Sequence, residues 1–209
     1  MSQNRRIWDF PTRLFHWSLA AAVTTSLVSV NVNAMETHIV SGGVVGGLLL
    51  FRIMWGLWGA STAQFHRFVP TPGRLIKHLL GQGGNYAGHS PLGALSVIAM
   101  LLALAVQVIS GMVSDDDIYL EGPLRSEVSS ATARFAGSVH AWTSEIILVL
   151  IALHLCAILF YRLVRGKGLT WPMITGHGKA GDDMRPRPLW LSLATMAIAA
   201  AIIVYIYYR

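Results

Sequence analysis

The chain has 209 residues, a net charge of +6, 54% hydrophobic residues and only 12% charged ones. Soluble domains of this size carry about a quarter charged residues, so an ordinary globular surface is excluded. The basic residues border apolar runs and do not form a patch of their own, which argues against nucleic-acid binding.

Five runs nearly free of charge follow one another along the chain, at 14–35, 39–59, 92–113, 136–161 and 189–208. Each reaches or approaches the roughly 20 residues that cross a bilayer. Backbone groups in hydrocarbon must pair within their own segment, so each run should be a helix. The expected fold class is all-α, a single integral membrane bundle.

Arg5, Arg6 and Arg13 precede or open the first run. With Val32-Asn33-Ala34 behind it, this run has the outline of a cleaved signal peptide. Cleavage would remove His16 and strand a partner histidine, so it is read as a retained helix. A short connection (Asn31 to Thr37) leads to the second run, which opens at His38 and carries Gly42 and Gly46 on the same stripe, with Arg52 near its end.

The next connection, Ala60 to Ser90, is basic and broken by Pro70, Pro72 and the cluster Gly81, Gly83 and Gly84. The third run opens at His89-Ser90-Pro91, with Ser90 suited to cap the helix and Pro91 to its first position. An acidic connection, Ser114 to Arg134, contains Asp115, Asp116 and Asp117; such runs are most simply solvated charge. The fourth run holds His140, His154 and the single cysteine, Cys156, which excludes an internal disulfide and covalent haem attachment through a Cys-x-x-Cys-His motif. Gly166 to Pro188 is again basic, with Arg185 and Arg187, and leads to the fifth run. Seven tryptophans (8, 17, 55, 58, 142, 171 and 190) lie near run ends, and most are expected to be interfacial anchors.

Lys and Arg therefore alternate between sides. The positive-inside rule places the N-terminus in the cytoplasm and the C-terminus in the periplasm. On this topology His16 and His154 lie near the inner surface, and His38 and His140 near the outer one. His140 and His154 are fourteen residues apart, about 21 Å of helix rise and within about 40° of the same face. Histidines inside membrane spans are costly and mark function. Two imidazoles facing each other across a bundle can clamp a haem iron from both sides, and bis-imidazole ligation favours electron shuttling over oxygen binding. The expected metal ligands are His16 with His154, and His38 with His140. A zinc or copper site would need more ligands at one depth. Gly42 and Gly46 would allow close approach of another helix or of a flat ring, and Arg13, Arg52 or Arg162 inside and Arg134 outside would pair with propionates. His89 is either helix-start chemistry or a contact to the inner haem edge or to a quinone.

The stretches Trp8-Asp9-Phe10-Pro11-Thr12-Arg13-Leu14-Phe15-His16-Trp17, Phe51-Arg52-Ile53-Met54-Trp55-Gly56, Gly88-His89-Ser90-Pro91-Leu92-Gly93-Ala94 and Pro172-Met173-Ile174-Thr175-Gly176 resemble the bacterial cytochrome b561 family, which includes the b-type subunits of nickel–iron hydrogenases. The resemblance covers about residues 6–176. It implies a four-helix core with two non-covalent b haems on His16, His38, His140 and His154, and electron exchange between the quinone pool and a periplasmic partner. That partner would be a c-type cytochrome or a dehydrogenase or hydrogenase subunit. On this reading residues 1–176 form the di-haem membrane domain, and 177–209 a cytoplasmic linker with an added fifth helix. Two other functions compete: superoxide oxidation coupled to quinone reduction, known within the same family, and a non-redox membrane scaffold. An anionic substrate would want a positive outer funnel, whereas the outer side here is net negative.

Overall fold

Asp9 sets the start of the bundle. Its Oδ1 accepts a hydrogen bond from Thr12 N at 3.2 Å and caps helix α1 (Phe10–Asn31), with Pro11 in the first turn. Side-chain oxygens do the same at three other helix starts. Thr71 caps α4 (Pro72–Leu79), Ser90 caps α5 (Pro91–Val113), and Ser129 caps α6 (Ser130–Leu163). The remaining helices are α2 (Met35–Trp58), α3 (Phe65–Phe68), α7 (Thr170–Thr175) and α8 (Leu189–Tyr208), with a 3-10 turn at Arg125–Glu127. The computed structural model describes residues 5–82, 88–115, 121–178 and 184–209. Gly83, Gly84, Asp116, Asp117 and Lys179 lie outside the described residues.

The architecture is the expected all-helical membrane bundle. Four helices among the described residues combine span length with high hydropathy: α2, α5, α6 and α8. The fifth expected span, α1, is 22 residues long but is diluted by Thr12, Ser18, Thr24, Thr25, Ser26 and Ser29, and does not join that group. Helix α6 extends well beyond the expected run. Its 34 residues reach about 51 Å, more than the roughly 30 Å hydrocarbon core.

Close helix packing joins α1 to α2, α5 to α6, α2 to α5 and α2 to α8; α1 and α6 are not among these pairs. Helix α2 is therefore central. Its core face carries Leu48, Phe51 and Trp55, which meet Phe15 of α1 and Ala199 of α8. Val45 and Leu49 meet Leu104 of α5 and Ile147 of α6. The outward face of α6 exposes Phe135, Trp142, Val149, Leu153 and Leu163, as lipid contact requires.

The added helix α8 uses the glycines of α2. A Cβ at Gly43 would lie 3.1 Å from the Tyr207 ring, and one at Gly47 3.6 Å from Ile203. Trp58 Nε1 donates to Thr195 Oγ1 at 3.2 Å, and Tyr207 Oη to Ile39 O at 3.3 Å. Of the two roles open to Gly46, a seat for a helix or for a flat ring, its neighbours match the first: it faces Ile203 of α8 and Val108 and Met112 of α5, which fill the space its missing side chain leaves.

At the basic end the connections fold into structure that hydropathy does not reveal. Strand β1 (Arg5–Arg6) pairs antiparallel with β2 (His177–Gly178). Gly176, in the left-handed region at φ 84°, accepts from Ile7 N and Trp8 N at 2.8 and 3.1 Å. Arg13 Nη1 donates to Ile174 O, and Trp17 Nε1 to Met173 O at 3.3 Å. The segment after α6 is thereby tied to the start of α1. Trp17, Trp58, Trp142, Trp171 and Trp190 are exposed as expected of anchors. Trp8 and Trp55 are not. They are core residues, because Trp55 Nε1 has a buried acceptor in Asp9 Oδ2 at 2.9 Å and Trp8 packs on His89 and Gly88.

Candidate functional site

The slot between the α1–α2 and α5–α6 hairpins contains the four histidines in two pairs. His16 of α1 faces His154 of α6 with ring centres 6.5 Å apart. His38 of α2 faces His140 of α6 with ring centres 6.0 Å apart. All four rings are partly buried. Two imidazoles on one metal, with metal–nitrogen bonds of about 2.0–2.1 Å and about 1.1 Å from nitrogen to ring centre, place the centres about 6.3 Å apart. The two observed spacings bracket that figure. Among the described residues no third His, Cys, Asp or Glu joins either pair to form a metal cluster. The residues present therefore fit a two-imidazole metal such as haem iron.

The match in spacing falls on the residues that carry the family's motifs, and the prokaryotic cytochrome b561 family matches the sequence over residues 7–176. The chain belongs to the prokaryotic cytochrome b561 family. Membership makes it a b-type, haem-binding cytochrome of bacterial membranes engaged in electron transfer. No individual curated protein matches it. The cytochrome b561 match ends just before β2 and excludes α8, which packs on the outside of α2.

Ring orientation in the His38–His140 pair is set by the main chain. His38 Nδ1 lies 3.0 Å from Ser26 O and 3.1 Å from Ser26 Oγ. His140 Nδ1 lies 2.9 Å from Gln107 O and 3.4 Å from Ser110 Oγ. A carbonyl oxygen only accepts, so both Nδ1 atoms carry the proton and both Nε2 atoms keep a lone pair for a metal. The Gln107 side-chain Nε2 lies 3.0 Å from His140 Nε2, and Gln107 Oε1 is buried without a partner. Gly111, one turn along α5, lets the ring in. A Cβ there would come within 2.7 Å of His140 Cε1 and 2.9 Å of Nδ1.

The His16–His154 end differs. Five buried polar atoms without a hydrogen-bond partner lie on this end of the bundle: Thr12 Oγ1, Arg13 Nε, His16 Nδ1, Arg52 Nη1 and His89 Nδ1. Arg52 is 3% exposed, with its guanidinium 4.7 Å from the Phe65 ring centre and 5.7 Å from that of Phe68. It follows His38 by fourteen residues, the interval that also separates His140 from His154. His89 sits at 4.7 Å from Trp8 and 4.9 Å from Phe68, ring centre to ring centre. Burial, reinforced by Arg52 and His16, lowers its pKa to about 3. Ser90 accepts from Gly93 N at 3.2 Å with Pro91 in the first turn, so the helix-start chemistry is as expected and His89 stands beside it.

The other expected residues divide. Gly42 opens onto empty space, with nothing within 4 Å of a Cβ built there. Arg13 reaches α7, while Arg134 and Arg162 are exposed. Asp115 is paired with Arg125. Ser26, Gln107, Ser110 and Gly111 belong to the site although the histidine, glycine and arginine patterns of the sequence do not single them out. Gln107 was the available signal, as an amide in the middle of an otherwise apolar run. A surface groove lined by Thr25, Glu36, Thr37 and Ser41 among others includes none of the four histidines.

Proposed function

We propose that the protein is a di-haem electron carrier with His16 and His154 as one axial pair and His38 and His140 as the other. It passes electrons between the quinone pool and a periplasmic redox protein, such as a c-type cytochrome or a dehydrogenase or hydrogenase subunit. The observation that carries this reading is the pair of ring-centre spacings, 6.5 and 6.0 Å, each between facing helices. The bound haems supply reversible one-electron chemistry at a fully ligated iron.

The protein's own residues orient and insulate. Ser26 O and Gln107 O fix the tautomers of His38 and His140. Gly111 and Gly42 leave space, and Arg13 and Arg52 balance propionate charge. Basic residues on the connections at the His16–His154 end orient that end toward the cytoplasm. Quinone exchange is assigned to the same end. Trp8 and Phe68 offer flat apolar walls there, and His89 Nδ1 and Arg52 Nη1 are polar atoms without a partner. One quinone takes two electrons and two protons to become the quinol, so two single-electron transfers serve each turnover. The acidic loop at the far end suits a basic partner.

A pyridine haemochrome assay on purified protein should give two haems per chain. His154→Ala and His140→Ala should each give one, with the visible spectrum of a six-coordinate low-spin b cytochrome retained for the other. A single haem in the unmodified protein, or two haems in both variants, overturns the assignment.

A further inference from the structure

We infer that helix α4 is a lipid-binding element, which lies in the membrane surface at the basic end of the bundle and seats on anionic phospholipid headgroups. Thr71 caps it and Pro72 opens its first turn, so the two turns from Pro72 to Leu79 have a defined start. The residues then divide between two sides. At 3.6 residues per turn Arg74, Lys77 and His78 fall within an arc of about 100°, and Leu75, Ile76 and Leu79 fall within a similar arc opposite. Leu80 continues the apolar side at the C-cap.

That apolar side stays bare. Ile76, Leu79 and Leu80 are 56%, 62% and 66% exposed, and Val69, just ahead of the helix, is exposed as well. Bare hydrocarbon on one side and cations on the other is the make-up of helices that lie in a bilayer interface. The position agrees, because α4 packs against α5, whose apolar run opens at Leu92. Charge names the headgroup. The connection from Ala60 to Ser90 carries Arg67, Arg74 and Lys77 and not one Asp or Glu. A cationic surface without its own counter-charge, set beside hydrocarbon, suits lipid phosphate of net negative charge. Lys and Arg can lay their stems along the apolar boundary and reach that phosphate with their heads. The opposite side of the same segment belongs to the bundle. Phe68 of α3 packs on His89 at 4.9 Å between ring centres, and Arg52 lies against Phe65 and Phe68. Helices α3 and α4 thus form a plate between lipid and protein, and headgroup attachment holds Phe68 over His89.

The test places a nitroxide on α4 of the intact protein, in a Cys156→Ser background. Its collisions with oxygen, which concentrates in hydrocarbon, are compared with those of a neutral nickel chelate, which stays in water. In nanodiscs containing phosphatidylglycerol, the label at Leu79→Cys should favour oxygen and that at Lys77→Cys the chelate. Replacing phosphatidylglycerol with phosphatidylcholine, or raising the salt concentration, should increase chelate access at Leu79→Cys. Each cation near an anionic surface shifts the balance between seated and lifted helix about fivefold. Adding Arg74→Gln and Lys77→Gln should therefore bring chelate access in phosphatidylglycerol up to the phosphatidylcholine level. Equal chelate access at Leu79→Cys and Lys77→Cys would overturn the membrane seat and assign the apolar side to a protein partner. The same access at Leu79→Cys in both lipids would overturn headgroup recognition. Ile76→Cys repeats the measurement from the other edge of the apolar side should Leu79→Cys fail to accumulate. None of these outcomes depends on the number of haems bound.

Discussion

Gly111→Ala should weaken the His38–His140 site alone. The added methyl would sit 2.7 Å from His140 Cε1 and 2.9 Å from Nδ1, against an unstrained carbon contact of about 3.5–4.0 Å. The ring must therefore retreat by about 1 Å, or α5 and α6 must part. Overpacking of this kind costs about 1–3 kcal/mol. If that cost falls on ligation, haem affinity at this site drops between about five- and 150-fold, at a factor of ten per 1.4 kcal/mol. The helix itself is not weakened, since replacing glycine by alanine within a helix favours it by up to about 1 kcal/mol. Haem loss to an excess of a haem-scavenging protein, followed by absorbance, should become biphasic: one haem leaving faster and one unchanged. Uniform kinetics equal to those of the original protein would refute the argument that Gly111 makes room for the ring.

Trp55→Phe keeps the stacking on Phe51 but leaves Asp9 Oδ2 buried without its donor, which should destabilise the protein by about 1–3 kcal/mol and appear as a lower thermal midpoint in detergent. Gly43→Leu should displace Tyr207 and loosen α8 from α2, with increased protease cutting before Leu189 while haem content stays constant; unchanged cutting would show that the glycine contact does not hold α8. His89 should govern part of the acid sensitivity. Its pKa is lowered from 6.5 to about 3 in the folded protein, so below pH 6.5 the unfolded chain binds a proton that the folded one refuses, and stability falls until about pH 3. His89→Gln should flatten stability between those limits, measured by thermal unfolding across pH, and a profile unchanged by the substitution would count against the buried neutral ring.

What the sequence disclosed follows from which physics is one-dimensional. Membrane helices announce themselves through hydropathy, and α8 was bounded to the residue, 189–208. The pairing of His140 and His154 on one face needs only helical periodicity. Which helices touch is a different matter. The glycines of α2 read equally well as a seat for a ring or for a helix, and only the fold shows Gly46 beneath Ile203 while Gly42 stays open. Ser26 and Gln107 hold the rings largely through backbone carbonyls, a role any residue type could play at those positions, so only the lone amide of Gln107 leaves a trace in the sequence. Trp8 and Trp55 looked like surface anchors because tryptophan at a span end usually is one. The burial of Trp55 depends on Asp9 offering an acceptor across 46 residues, and that of Trp8 on His89 and Gly88 packing against it. The short helices α3, α4 and α7 are too brief for periodicity to stand out, and aromatic packing and the β1–β2 ladder hold this end together.

One ligand from each pair sits on α6, a single unbroken helix of 34 residues. The vertical separation of the two histidine pairs is thus ruled by one rigid rod, about 21 Å between its two imidazole-bearing residues, whatever the neighbouring hairpin does. On the two-haem proposal, breathing of α1 against α2 would alter how firmly each iron is gripped without stretching the tunnelling gap between them. Hopping across the bilayer would in this way be decoupled from motions at either surface.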